Sequence, residues 1–442
     1  MKKEIKGYSK LSKIQKINWL TDNYFNGDTH VKEELISFWH EDLSVQNRFD
    51  EFSENTLTNF YMPFGIAPNF LIDDEMYAIP MVIEESSVVA AMSKSAKFWL
   101  DKGGFHTEII DTKKIGQVHF LFSGNQQKLK EDFLSIKAQL MEGSKYLTVN
   151  MDARGGGVLD IELIDMTQDE PDYFQLKVSF ETCDSMGANF INTVLEECAN
   201  SLKEIVHPNN GFEETPLIIM SIVSNYTPDC MVRAWVECKI EDLGEVNGVP
   251  AEIFAKKFKT AVRIAEVDPH RATTHNKGIY NGIDAVIIAT GNDFRAVEAC
   301  GHTYATRNGR YSSLTHCSIE NGLFKFWIDL PLAVGTVGGL TQLHPLVKRS
   351  LQILGNPDAK QLMKFCAVAG LAQNFAALRA LTTVGIQQGH MKMHLLNILN
   401  HLDATDDEKL FALEYFKDKV VSYTTTRVML EQLRSARIKD GR

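Results

Sequence analysis

Four ionisable side chains stand in settings that surface residues rarely occupy. Glu85 ends the apolar run PMVIEE, Lys277 sits between an amide and a glycine in THNKGIYNGIDAVIIATGND, Asp293 closes that same stretch, and His390 follows a glycine in QQGHMKMH. A carboxylic acid, an ammonium, a supporting carboxylate and an imidazole suit one class of reaction, in which electrons enter a carbonyl while the leaving group is protonated. The lysine would stabilise negative charge developing on the carbonyl oxygen. The histidine, titrating near neutrality, would protonate a departing thiolate or alkoxide. Lys277 is expected to be held near backbone and other side chains, with a carboxylate that keeps it charged. Asp293 is the natural candidate, and because sixteen residues separate the two, their pairing must come from the fold or from another subunit.

Each residue also has a plainer reading. Glu84, beside Glu85, serves equally well as an acid compensating a helix dipole. His390 and His394 form an HxxxH pair, but no third ligand has zinc-like spacing, so no metal is expected. GxxxxGK[ST], GxSxG, HExxH and GxGxxG do not occur, which removes the usual support for a P-loop, a hydrolase elbow, a zincin and a Rossmann fingerprint. Glycines cluster instead in DARGGGVLDIEL, DSMGAN, ATGND and AVGTVGG. A glycine at a helix start, as in DSMGAN, lets a pyrophosphate approach free backbone amides, so a nucleotide can be bound without a Rossmann fold.

The elements that must carry these residues follow from periodicity. The first forty residues read as polar helices, and SSVVAAMSKSAKFWLDKGG as a helix with serines at its start and glycines at its end. Between residues 116 and 223, strand, helix, two alternating strands, helix and strand follow one another. That βαββαβ order is a ferredoxin-like unit inserted into a larger domain. After residue 250 the pattern is mainly helical; LMKFCAVAGLAQNFAALRALTTVGIQ has the composition of a buried, closely packed helix pair. Beyond it the chain turns charged again, as a small helical tail. The expected fold is therefore α+β: a large, mainly helical substrate domain from residues 1–115 and 225–389, a small cofactor domain at 116–224, and a C-terminal helical flap at 390–442.

The chain has 442 residues, 44% of them hydrophobic, which is too long for one ordinary domain and enough for a large core. A net charge of −11 argues against nucleic acid or an anionic membrane as the main partner. No long apolar run and no signal-peptide pattern appear, so a cytoplasmic protein is expected. The seven cysteines show no CxxC spacing and read as reduced packing residues.

Taken together and in this order, DSMGAN, DPHRATTHNKGIYNGIDAVIIATGNDFRAVEA, LPLAVGTVGG and GIQQGHM resemble the 3-hydroxy-3-methylglutaryl-CoA reductase family, in its soluble bacterial-type class II, from about residue 50 to residue 400. The resemblance implies reduction of the thioester to mevalonate and CoA by two NADH or NADPH, or the reverse, with CoA as part of the substrate. It implies Glu85 as catalytic acid, Lys277 as oxyanion stabiliser, Asp293 as the lysine's partner and His390 as the acid for the CoA thiolate. Arg271, Ser87 and Asn281 would meet the substrate, and Asp184, Ser185, Met186, Gly187, Ala188 and Asn189 the dinucleotide. Asp160 falls at the adenosine ribose, where an acid accepts from a 2′-hydroxyl and repels a 2′-phosphate, which leans toward NADH. The family also implies a homodimer or dimer-based oligomer, with the active site at the interface and the acid and lysine on different chains. Ser86 stands where some relatives have proline.

Two rival classes remain. A non-catalytic CoA- or nucleotide-binding protein would show damage at one of the four catalytic positions, and all four are intact. A different NAD(P)-dependent reductase or a thioester-processing acyltransferase would use the same charge set; the acyltransferase would need a nucleophilic Cys or Ser beside a base, and no Cys-His arrangement is evident.

Overall fold

The computed structural model describes residues 4–383, 395–417 and 419–439. Three polar helices open the chain, α1 (Lys13–Tyr24), α2 (Thr29–Ser37) and α3 (Leu43–Asp50), and the hairpin β1 (Phe64–Ile72) and β2 (Glu75–Val82) leads into α4 (Val88–Trp99). A first four-stranded antiparallel sheet has the order β3 (His106–Ile109), β8 (Met231–Lys239), β10 (Leu323–Pro331), β9 (Thr315–Glu320).

The stretch between its first two strands builds a second sheet. Its elements are β4 (Lys114–Leu121), α5 (Gln126–Glu131), α6 (Phe133–Asp152), β5 (Gly157–Asp165), β6 (Tyr173–Glu181), α7 (Ala188–Ile205) and β7 (Leu217–Val223). The strands pair antiparallel in the order β5-β6-β4-β7, and apolar residues of α6 and α7 such as Ile136, Leu140, Ile191 and Leu195 form one cluster with Val118, Leu176 and Val178.

A separate and larger cluster surrounds three helices: α8 (Ala251–Val267), α9 (Pro269–Ala289) and α13 (Ala359–Thr382). α10 (Phe294–Tyr304), α11 (Leu340–Leu343) and α12 (Pro345–Ile353) flank them. α13 is one helix of 24 residues, where the composition of the sequence suggested a pair. No proline interrupts it, and a capping box at Asp358 and Gln361 starts it. It is long and apolar enough to cross a membrane, yet 72% of its most apolar window is buried inside the protein, as befits a core helix.

α9 begins where the Asp268 carboxylate accepts from the His270 amide and Pro269 occupies the first turn. Its AVIIA run is β-branched, a composition that favours strands. Packing decides otherwise: Ile279, Ile283, Val286 and Ile287 are fully buried, and a Cβ on Gly282 would lie 2.4 Å from the Ala369 carbonyl of α13. That glycine lets the two helix backbones approach closely.

Residues 395–401 form α14, which packs with α15 (Asp406–Tyr415) and α16 (Tyr423–Lys439) around a small core of its own, including Leu399, Ala412 and Leu430.

Candidate active site

α4, α9 and α13 enclose an open cleft of about 510 Å³. Arg271, Thr274, Gly278 and Asn281 recur at helical spacing along one face of α9, with Lys277 beside them, while the opposite face enters the core. α4 contributes Ser87, Ala91 and Lys94, and α13 contributes Gln373, Asn374 and Arg379. A bond from Ser95 Oγ to the Ala372 carbonyl, 2.7 Å long, ties α4 to α13 beneath the cleft.

At its centre Lys277 Nζ donates to Glu85 Oε2 at 2.6 Å, and Asn281 Nδ2 donates to the same oxygen at 3.2 Å. The lysine is therefore partnered by Glu85 of its own chain, a correction to the expectation that the acid and the lysine come from different chains. It is also more open than expected: its side chain is 60% exposed, because it projects into the cleft mouth and not onto backbone. Ser87 holds the N-cap position of α4 at φ 73° without a side-chain cap bond, so its hydroxyl faces the cleft uncommitted to the helix.

Asp293 is elsewhere. It caps α10, accepting from the amides of Arg295 and Ala296, and forms a two-pronged ion pair with the Arg295 guanidinium. Burial pushes its carboxyl upward, but Arg295 and these amides prevail and hold it below the usual carboxylate value. The twelve helical steps from Lys277 to Ala289 span about 18 Å, and Asp293 lies beyond them. Within one chain the expected Lys277–Asp293 pairing does not form, because a straight helix carries the two apart. His390, and with it the HxxxH pair, lies outside the described residues.

Of the described residues lining the cleft, Glu85 is the one carboxylate, set against Lys94, Arg271, Lys277 and Arg379. Burial pulls the guanidinium of Arg271, and likewise that of Arg379 over the Phe98 ring, below the ordinary arginine value. Such a cleft suits a ligand bearing several negative charges.

Sequence reasoning passed over His275. It is 1% exposed, and burial drives its imidazole down to about 3, so it is neutral. Thr315 Oγ1 donates to Asn374 Oδ1 at 3.0 Å, so the bond of 2.6 Å between His275 Nε2 and Thr315 Oγ1 makes Nε2 the protonated nitrogen. Asn374 in turn donates to the His275 carbonyl at 3.3 Å, which locks α9 to α13. Gln373-Asn374, a polar pair inside an Ala- and Leu-rich run, was the available signal for this network.

At DSMGAN, Gly187 takes φ 90° at the start of α7, where a Cβ would lie 2.6 Å from the Thr182 side chain. Asp184 accepts the Thr336 amide on its carbonyl at 2.8 Å and the Ala359 amide on its carboxylate at 2.9 Å. α13 thus begins at this turn and ends at the cleft. Asp160 pairs with Lys137 of α6, whose ammonium lowers its carboxyl below the usual value. An acid already neutralised in this way gives no basis for excluding a 2′-phosphate.

The sequence model of hydroxymethylglutaryl-coenzyme A reductase matches residues 15–395. The chain belongs to the hydroxymethylglutaryl-CoA reductase family. Its similarity to the 3-hydroxy-3-methylglutaryl-coenzyme A reductase of Archaeoglobus fulgidus is 37% identity, covering 98% of this chain and 96% of that one. It is 31% identical to a probable enzyme of the same name from Borreliella burgdorferi, over 88% of each chain. Among solved structures, the class II reductase of Streptococcus pneumoniae bound to NADPH in open conformations is 37% identical with a TM-score of 0.70, covering 88% of this chain and 92% of that one. A second structure of the Streptococcus pneumoniae reductase aligns over 98% of this chain with a TM-score of 0.71. This family member is accordingly an oxidoreductase of the hydroxymethylglutaryl-CoA/mevalonate couple, and its mixed helix-and-sheet fold resembles class II structures.

Proposed function

We propose that the cleft carries both reductions of 3-hydroxy-3-methylglutaryl-CoA, with Glu85, Lys277, Asp293 and His390 as the catalytic set. The observation that carries this reading is the Lys277–Glu85 ion pair, shared with Asn281, at the centre of a cleft otherwise lined by cations.

A first hydride from NAD(P)H adds to the thioester carbon, and the carbonyl oxygen becomes an alkoxide beside the Lys277 ammonium, which stabilises it electrostatically. The hemithioacetal then breaks its C–S bond; the sulfur leaves as thiolate and takes a proton from His390. A second hydride adds to the aldehyde carbon, and Glu85, which takes up a proton from solvent before this step, passes it to the alkoxide to make the alcohol. Arg271 holds the substrate carboxylate in two parallel hydrogen bonds, a task fitted to its planar fork, while Ser87 and Asn281 position the substrate's oxygens.

Asp293 joins this site from a second copy of the chain, since its own lysine is out of reach. The working unit is then at least a homodimer. The turn Asp184–Asn189 receives the dinucleotide at the start of α7, on the small sheet domain, and the helices after residue 390 act as a flap bringing His390 to the sulfur. With Lys137 on Asp160, either NADH or NADPH serves.

The test is absorbance loss of NADH and, separately, NADPH with hydroxymethylglutaryl-CoA. Lys277→Ala is expected to lower kcat by about three orders of magnitude or more in both half-reactions. A folded Lys277→Ala variant that turns over like the wild type would remove the lysine from the mechanism.

A further inference from the structure

Lys114, the first residue of β4, is 4% exposed, and its ammonium lies beneath the turn that links β6 to α7. It donates to the Thr182 hydroxyl and, at 3.0 Å, to the Ser185 carbonyl, which occupies two of its three N–H donors. The Thr182 hydroxyl passes its own proton to the same Ser185 carbonyl at 2.6 Å, so that oxygen is gripped twice.

Burying an ammonium is costly unless it is paired and hydrogen-bonded. Among the described residues no carboxylate forms an ion pair with Lys114. Glu181, close by, is engaged by the Thr112 hydroxyl and by the Cys183 amide at 2.7 Å. Burial accordingly pulls the lysine below its ordinary value, against the opposing pull of Glu181 and Asp184. A buried cation held mainly by neutral oxygens therefore sits under the turn that opens α7, a helix of 18 residues whose start already favours negative charge. The turn itself is strained, with Cys183 at φ 49°, and a strained turn keeps its shape only where its surroundings over-determine it.

We propose that Lys114 is a positioning residue of the cofactor site, fixing the turn from Thr182 to Gly187 in the form that receives the dinucleotide's diphosphate and adding positive charge beneath it; this rests on the reading of that turn as the dinucleotide site.

The experiment measures steady-state kinetics of the full-length Lys114→Met, Lys114→Gln and Gly187→Val variants, with folding checked by circular dichroism. Lys114→Met keeps the aliphatic length and removes the charge and the donors; Lys114→Gln restores donors without charge. Lys114→Met is expected to raise the KM for NAD(P)H about tenfold or more, with kcat at saturating cofactor and the KM for hydroxymethylglutaryl-CoA within about twofold of wild type. Lys114→Gln should fall between the two, and a folded Lys114→Gln carries the test if Lys114→Met does not fold. An unchanged cofactor KM in the lysine variants, with Gly187→Val impaired, overturns the role of Lys114 alone. An unchanged cofactor KM in all three overturns the assignment of the turn itself, and the proposal with it. Equal losses in cofactor KM, substrate KM and kcat would make the lysine a general structural residue and also overturn the proposal.

Discussion

The division of labour in the cleft rests on charge. Lys277 and Glu85 pair in the cleft, and in the proposed mechanism an alkoxide forming beside them would gain a cation whose position is already fixed, which is why such groups act strongly on a transition state. Arg271 is half-buried and carries no carboxylate partner among the described residues, as a substrate-carboxylate clamp requires. Arg271→Lys keeps the charge but loses the planar fork, and is expected to raise the substrate KM about tenfold to a hundredfold with a smaller effect on kcat. Steady-state kinetics at saturating cofactor checks this. If His390 is the thiolate acid, His390→Gln should reduce turnover of the thioester far more than that of free mevaldehyde, because only the first half-reaction releases sulfur. Equal losses with both substrates would remove His390 from that role.

At the scale of elements, α9 and α13 form the scaffold: Gly282 allows their close approach, and the His275–Thr315–Asn374 chain locks them. α9 also carries a half-buried liability. Burial and the neighbouring Glu298 of α10 raise the carboxyl of Asp284 well above the usual carboxylate range. The sign of the linkage follows directly. The folded state keeps a proton on Asp284 that the unfolded state has already released, so the contribution of Asp284 to stability is greatest at low pH and is lost as pH rises through the carboxylate range toward the raised value. Asp284→Asn removes the titration and keeps a donor for Glu298, so its Tm should fall less than the wild type's between about pH 5 and 8. Thermal melts across that range decide the matter, and parallel curves would show that Asp284 is ionised in the fold.

At the scale of the whole molecule, Asp293 sets the question. If it acts on the lysine of a second copy, Lys277→Ala and Asp293→Ala complement each other: a mixed dimer has one site with both residues missing and one with both present. Co-expressed in equal amounts, the two inactive variants should recover about a quarter of wild-type activity, since half the dimers are mixed and each has one intact site of two. No recovery, with mixed dimers shown to form, would place Asp293 outside the partner's site. The family was legible in the sequence, because its resemblance lies in short runs such as THNKG and DSMGAN, where residue type and immediate neighbours determine what a side chain can do. Strands such as Tyr173–Glu181 were legible through their alternation, since a half-buried sheet forces a period of two. Spacing along the chain could not tell that a glutamate 192 residues away closes on Lys277 while an aspartate sixteen residues away cannot. Nor could it show that Lys114 and Lys137 reach DSMGAN and Asp160. Local chemistry is set by bonded neighbours and periodicity, whereas the partners of a charge are set by how helices and sheets pack in three dimensions, and packing depends on the whole chain at once.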